Sequence, residues 1–186
     1  MNPSTQEILG AFENLPTDKV IILPNNKNII MAAQAAAELT VKKIAVIPTR
    51  TIPQGLAAML CLDSGSEFDD MVEEMKDAIE DVETGEITIA TRTVEIDGIQ
   101  VKKGQIIALH NGKLVVAASS LLDGCTAFLE HAEAEDYELV TLFFGSDISK
   151  RAAVETADHI RAVYPDLEVE VQNGGQPHYQ FIISVE

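Results

Sequence analysis

Hydrophobic positions follow two different rhythms along this chain. Ser4-Thr5-Gln6-Glu7 has the spacing of a capping box and predicts a short helix to about Asn14. Lys19 to Leu23 (KVIIL) is a continuous apolar run, as expected of a strand covered on both faces in a parallel sheet. Pro24 to Asn28 is a polar break, followed by an Ala-rich helix from Ile29 to Leu39 and a second buried strand from Lys43 to Ile47. Strand, helix and strand within about 30 residues make a βαβ unit. A loop from Pro48 to Pro53 leads into a helix from Gln54 to Leu60, with Pro53 suited to its first turn.

The polar stretch Leu62 to Ser66 reads as a boundary, with Ser66 capping a helix to about Val82. At about 100° per residue, Phe68, Met71, Val72, Met75, Ile79 and Val82 share one face of that helix, and Glu67, Asp70, Glu74, Asp77 and Asp81 lie opposite. After Thr84-Gly85 the period changes to two. Glu86 to Ile96 alternates as a strand, and Asp97-Gly98 and Asn111-Gly112 are hairpin turns among the strands Ile99–Lys102, Gln105–His110 and Lys113–Ala117. A helix from Ser120 to Glu133, a strand from Leu139 to Phe144 and a helix from Ser149 to Val163 follow. The last strands are Leu167–Val171 and Tyr179–Val185, with Gly174-Gly175 as a tight turn between them.

These elements predict an α/β fold in two subdomains. A parallel βαβ layer covers residues 1–62, and a helix with a mixed and antiparallel sheet covers 63–186, the final strands returning to complete a sheet.

The 186 residues are 46% hydrophobic, enough to bury a core, and no apolar run is long enough to span a bilayer. The N-terminus lacks the basic and apolar regions of a secretory signal. Cys61 and Cys125 make no CxxC motif or disulfide framework and read as buried thiols in a reducing cytoplasm. The formal net charge of -17 excludes nucleic acid and anionic membrane surfaces as natural partners and favours a basic protein.

No Walker phosphate cradle, GxGxxG turn, GxSxG elbow, HExxH pair or EF-hand loop is present. His110, His131, His159 and His178 are far apart in sequence and predict no metal site. The acidic residues, in contrast, cluster. From Asp63 to Glu86 eleven carboxylates accompany one lysine, Lys76, and a second acidic stretch runs from Glu130 to Glu138. A solvated face and a docking groove for a basic partner are both compatible with the row Glu67, Asp70, Glu74, Asp77 and Asp81.

Several segments are familiar together. MNPST (Met1 to Thr5), LPNNKNI (Leu23 to Ile29), VIPTRTIPQGLAAML (Val46 to Leu60) and GGQPHYQFIISVE (Gly174 to Glu186) resemble the C-terminal domain of the bacterial fatty acid kinase subunit. The resemblance spans essentially the whole chain. It implies a fold similar to DegV fatty-acid-binding proteins. It also implies a full-length kinase with a dihydroxyacetone kinase-like ATP-binding domain, where ATP and Mg would bind, leaving no cofactor and no catalytic residue in this stretch. That kinase phosphorylates a fatty acid carboxyl to an acyl-phosphate, and the fatty acid is presented by a separate, basic DegV-type protein. The stretch here is then a docking domain.

Family members also carry a β-α-β segment before the MNPST motif, so an incomplete first sheet with an open edge is expected, and with it a possible homo-oligomer. A rival expectation is a DegV-like site for a lipid or small ligand. Asn25, Asn26, Lys27, Thr49 and Arg50 would line it, at the carboxyl ends of the two parallel strands. The same residues can equally serve as caps and turns.

Overall fold

A computed structural model describes residues 2–96 and 98–186. The chain divides into two compact units, the first running through Val82 and the second from Glu83 to Glu186.

The first unit opens with α1 (Thr5–Glu13), whose Ser4 and Glu7 form the expected reciprocal capping box. Strand β1 (Lys19–Ile22) pairs in parallel with β2 (Lys43–Val46), Lys19 opposite Lys43. Between them α2 (Lys27–Ala37) packs on β2, and α1 packs on α2. Helix α2 starts two residues earlier than its apolar pattern suggests, because the Asn26 side chain caps it by accepting from the Asn28 N–H. Helix α3 (Ile52–Leu60) has Thr51 as its N-cap and Pro53 in its first turn.

Helix α4 (Phe68–Ala78) corrects the expected subdomain boundary. Its apolar face clusters with Ile47 and Ala58 and with Ile21, Leu23 and Ala45 of the parallel strands. Burying one such side chain contributes about 1.5–3 kcal/mol, whereas each like-charge i,i+4 pair on the outer face costs only a few tenths of a kcal/mol. Packing therefore prevails, and the polar stretch from Leu62 to Ser66 is a loop inside the first unit rather than a linker at its end. Ser66 does not cap the helix. Its hydroxyl donates to Asp63, and Glu67 takes the N-cap position without a side-chain hydrogen bond.

The second unit holds a six-stranded sheet built from β3 (Glu83–Ile89), β6 (Ile106–His110), β7 (Lys113–Ala118), β8 (Leu139–Phe144), β9 (Glu168–Asn173) and β10 (Tyr179–Val185). Their spatial order is β7-β6-β3-β10-β8-β9, antiparallel except for the parallel pair β8 and β9. The expected strand from Glu86 to Ile96 is two strands. It breaks after Ile89, and β4 (Val94–Ile96) pairs with β5 (Ile99–Val101) as a separate ribbon. Of the Asp97-Gly98 turn, Asp97 lies outside the described residues. Strands β9 and β10 are not neighbours across Gly174-Gly175, because β8 lies between them.

Helices α5 (Leu121–His131) and α6 (Lys150–Val163) cover one face of this sheet. Cys125, Phe128 and Leu129 of α5 and Ala153, Ala157 and Ile160 of α6 join Ile87, Leu142, Phe181 and Ile183 in the main core. The pleat sends alternate residues the other way. Ile106 and Ala108 pack toward that core, whereas Ile107 packs with Val94, Ile99 and Val101 of the ribbon. The β6–β7 hairpin turns on Asn111 and Gly112, both at positive φ (50° and 78°), as the two-residue turn requires. Among the described residues no helix is long and apolar enough to cross a membrane.

Candidate functional site

Two sets of polar residues in the first unit carry the candidate chemistry. The first lies on the outer side of α4. Phe68, Met71, Val72, Met75, Ile79 and Val82 are all buried, so the opposite side of the helix is left to solvent. Glu67, Asp70, Glu74 and Asp77 are exposed along it, and none makes a side-chain hydrogen bond or ion pair among the described residues. Asp81, expected on the same row, falls beyond the helix, which ends at Ala78 with Ile79 as its C-cap. It is exposed, but its position is set by the turn before β3 and not by helical spacing.

One neighbouring carboxylate is occupied. Asp69 accepts from Lys43 Nζ at 2.6 Å, and the Lys43 and Lys19 ammonium groups stand 5.0 and 5.7 Å from the Phe68 ring centroid. Two lysines at the start of the strands thus hold the first turn of α4, leaving the acids farther along it without a counter-charge. Asp69 and Asp70 sit at the helix N-terminus, where the macrodipole favours them, and Lys76 lies in the last turn.

The second set is the pair of loops after β1 and β2. Thr49 is fully buried and its hydroxyl oxygen accepts from the Asn25 N–H at 2.9 Å. Asn25 adopts a left-handed backbone (φ 52°), and its Oδ1 is buried without a hydrogen-bond partner. The other three predicted residues do not join them. Asn26 caps α2, Lys27 is exposed at the start of that helix, and Arg50 is exposed with its N–H donating to Gln54 Oε1 at 2.8 Å. Gly55 was missed by sequence reasoning. A Cβ there would lie 2.1 Å from Asn25 Oδ1, so the α3 backbone closes directly over the asparagine. An isolated glycine inside a helix costs about 1 kcal/mol relative to alanine, and that unexplained cost is the signal that could have found it.

A third polar group, also missed, lies in the second unit. His110 Nε2 is 2.5 Å from Glu83 Oε2, which also accepts from Asn111 Nδ2 at 2.6 Å. The His131 ring meets His110 edge to face at 5.3 Å between centroids. No three metal-ligating side chains come together among the described residues.

Comparison with known proteins bears on the fold and the family. An uncharacterized protein of Staphylococcus epidermidis is 40% identical over 186 residues, which is 100% of this chain and 34% of that protein. The chain thus spans about a third of the length of the curated relatives it matches. A DegV lipid binding protein from Thermotoga maritima superposes with a TM-score of 0.70 at 13% identity, covering 100% of this chain and 76% of that one. The fatty acid kinase B3 protein of Streptococcus pneumoniae, solved loaded with linoleic acid, does so with a TM-score of 0.68 at 14% identity, covering 99% and 76%. The fold is therefore DegV-like. Residues 1–186 match the FakA-like C-terminal family, the C-terminal region of fatty acid kinase subunits of the A type, and the chain belongs to that family.

Proposed function

We propose that this domain docks a basic DegV-type fatty-acid-binding protein for a fatty acid kinase. The ATP-binding domain, with its ATP and Mg, belongs to another part of the same longer cytoplasmic polypeptide, and the phosphorylation of the acyl carboxyl takes place there. The domain itself supplies a surface and not a catalytic group. The observation that carries this reading is the outer side of α4: Glu67, Asp70, Glu74 and Asp77 stand exposed and without counter-charge on a helix whose other face is anchored in the core. A net charge of -17 extends the same field around the domain and would speed encounter with a basic partner.

Sedimentation velocity of the domain mixed with basic DegV-type proteins tests it. A complex at low salt that dissolves at high salt is expected, because exposed charge pairs are screened. The quadruple variant E67K/D70K/E74K/D77K should lose the complex while keeping its fold. An unchanged affinity would move the docking surface elsewhere, with Glu130 to Glu138 as the next acidic segment to reverse.

A second reading is favoured by one observation, the buried and unpartnered Oδ1 of Asn25 beside Thr49. An acceptor left unpaired in a protein interior is costly, and a ligand hydroxyl or a protonated carboxyl could donate to it once α3 moves off the asparagine at Gly55. This reading makes the two loops a lipid or small-ligand site. It predicts that organic extracts of the purified domain contain a fatty acid, and that Asn25→Ala abolishes its retention. Extracts without lipid would remove this reading.

A further inference from the structure

The second unit carries a pocket on the face of its sheet that α5 and α6 leave free. The β4–β5 ribbon lies over that face, with Val94, Ile99 and Val101 packed against Ile107 and Leu114. The packing is incomplete. A pocket of about 140 Å³ remains, walled by Val94, Ile96 and Val101 of the ribbon, Ile107 and Leu109 of β6 and Leu114 of β7. These six side chains offer no hydrogen-bond partner, so water inside would lack the two to four polar contacts that hold a buried water. A compact apolar body of about six carbons suits such a volume.

The mouth of the pocket is cationic. The charged residue of the lining is Arg92, which precedes Val94 and Ile96 at the alternate spacing that puts all three on one side of the ribbon. Lys102 and Lys103 directly follow Val101, and the Lys103 N–H donates to Thr93 Oγ1 at 3.1 Å, which brings the lysine pair alongside the Arg92 segment. All three cations are exposed, and none has a side-chain hydrogen bond or ion pair among the described residues. Glu95 falls on the opposite side of the ribbon by the same alternation. From Gly98 to Leu122 there are three lysines and no carboxylate, in a chain with thirty acidic and thirteen basic residues. Free cations are thus gathered at the rim of an apolar pocket, against the charge of the protein as a whole. That combination selects an anion with an apolar body, and a guanidinium fork matches a carboxylate through two parallel hydrogen bonds.

We infer that this pocket binds a small organic carboxylate. Its apolar body, of about six carbons, sits between the ribbon and the sheet. Its carboxylate is held by Arg92, with Lys102 and Lys103 adding positive charge at the mouth. The site is made only of residues of the second unit and shares none with α4 or with the Asn25 and Thr49 loops, so it stands independently of both readings above.

NMR titration of the 186-residue chain with hexanoate, acetate and hexan-1-ol tests the inference. Hexanoate should shift the resonances of Val94, Val101, Ile107 and Leu114 saturably. Acetate lacks the apolar body and hexan-1-ol lacks the charge, and each should bind at least about tenfold more weakly. Arg92→Gln changes an exposed side chain and leaves the apolar walls intact. It should weaken hexanoate about tenfold while the rest of the spectrum keeps its folded dispersion. Decanoate should gain little over hexanoate, because the pocket is already filled. Equal binding of hexan-1-ol and hexanoate, or an unchanged affinity in Arg92→Gln, would overturn the inference and reduce the pocket to an apolar void. Equal binding of acetate would overturn it too, leaving an unspecific anion patch. So would shifts confined to residues outside the pocket, or an affinity that keeps rising through decanoate, which would make this a long-chain site.

Discussion

Asn25 and Gly55 are locked together: the side chain of one occupies the space where a Cβ on the other would stand, 2.1 Å from Oδ1. The contact ties the loop after β1 to the first turn of α3, and Thr49 closes it from the loop after β2.

Gly55→Ala should therefore destabilise the first unit by about 1–3 kcal/mol, the usual cost of overpacking, despite alanine's better helix propensity. Asn25→Gly keeps the positive φ and removes the obstructing amide. The double variant should recover much of the loss, and a denaturant double-mutant cycle would read the coupling. Additive losses would mean that the two residues do not share the contact.

Asp77 lies in the last turn of α4, where the helix dipole disfavours a carboxylate. Asp77→Lys should raise stability by about 0.3–1 kcal/mol while weakening the docking proposed above. Chemical denaturation and partner titration on the same sample would show the two effects with opposite signs. A variant that loses both would indicate a structural role for the carboxylate.

Glu83 receives Asn111 and faces His110 across the start of β3 and the β6–β7 turn. Both side chains of the His110–Glu83 pair are about three-quarters or more shielded from solvent. Glu83→Gln, which removes the charge but keeps the shape and an acceptor for Asn111, should cost about 1 kcal/mol of the second unit's stability, the gap between hydrogen bonds to charged and to neutral groups. Thermal unfolding would detect it as a lower Tm.

Burial pushes the Cys125 thiol up to about 12, so its nucleophilic thiolate is scarce in the folded protein. A mild alkylating agent near neutral pH should modify the half-buried Cys61 first and Cys125 only on unfolding. Mass spectrometry of the time course separates the two. Early modification of Cys125 would contradict its burial in the main core.

The Ser4 backbone N–H, and then its hydroxyl, hold Glu7 below the ordinary carboxylate range. A carboxylate depressed in the folded state stabilises fully above its unfolded value, and that contribution fades as pH falls through the lowered one. Ser4→Ala should thus matter most near neutral pH and least in acid, as read by the stability difference between variant and parent across that range.

Local signals were legible in the chain where one face or one cap decides the structure. The apolar row of α4 is buried residue for residue, and Ser4, Ser120 and Ser149 each cap the helix they precede. What escaped was decided at a distance. One exception did leave a mark, passed over in reading a single strand: the apolar positions switch from odd (Ile87, Ile89) to even (Ala90, Val94, Ile96) where β3 gives way to the β4–β5 ribbon. The pairing of β10 with β3 and β8 depends on partners far away in sequence. In the candidate site, the carboxylates of α4 could be read from helical spacing, but the meeting of Asn25, Thr49 and Gly55 required the two loops to be folded onto one another. The Glu83–His110 pair was hidden for the same reason, its members being joined only by the register of β3 with β6.

The central position of β10 shapes how the second unit can be made on a ribosome. Every other strand of its sheet emerges first, as two separate pieces, β7-β6-β3 and β8-β9, each with a raw edge facing the gap. Neither piece can close on the other until Tyr179 to Val185 has been translated and slipped between them. Nascent chains of this domain therefore pass through an interval in which two sticky half-sheets wait for one strand. Premature termination within that strand would leave them permanently apart, as a substrate for chaperones and proteases rather than a weakened version of the fold.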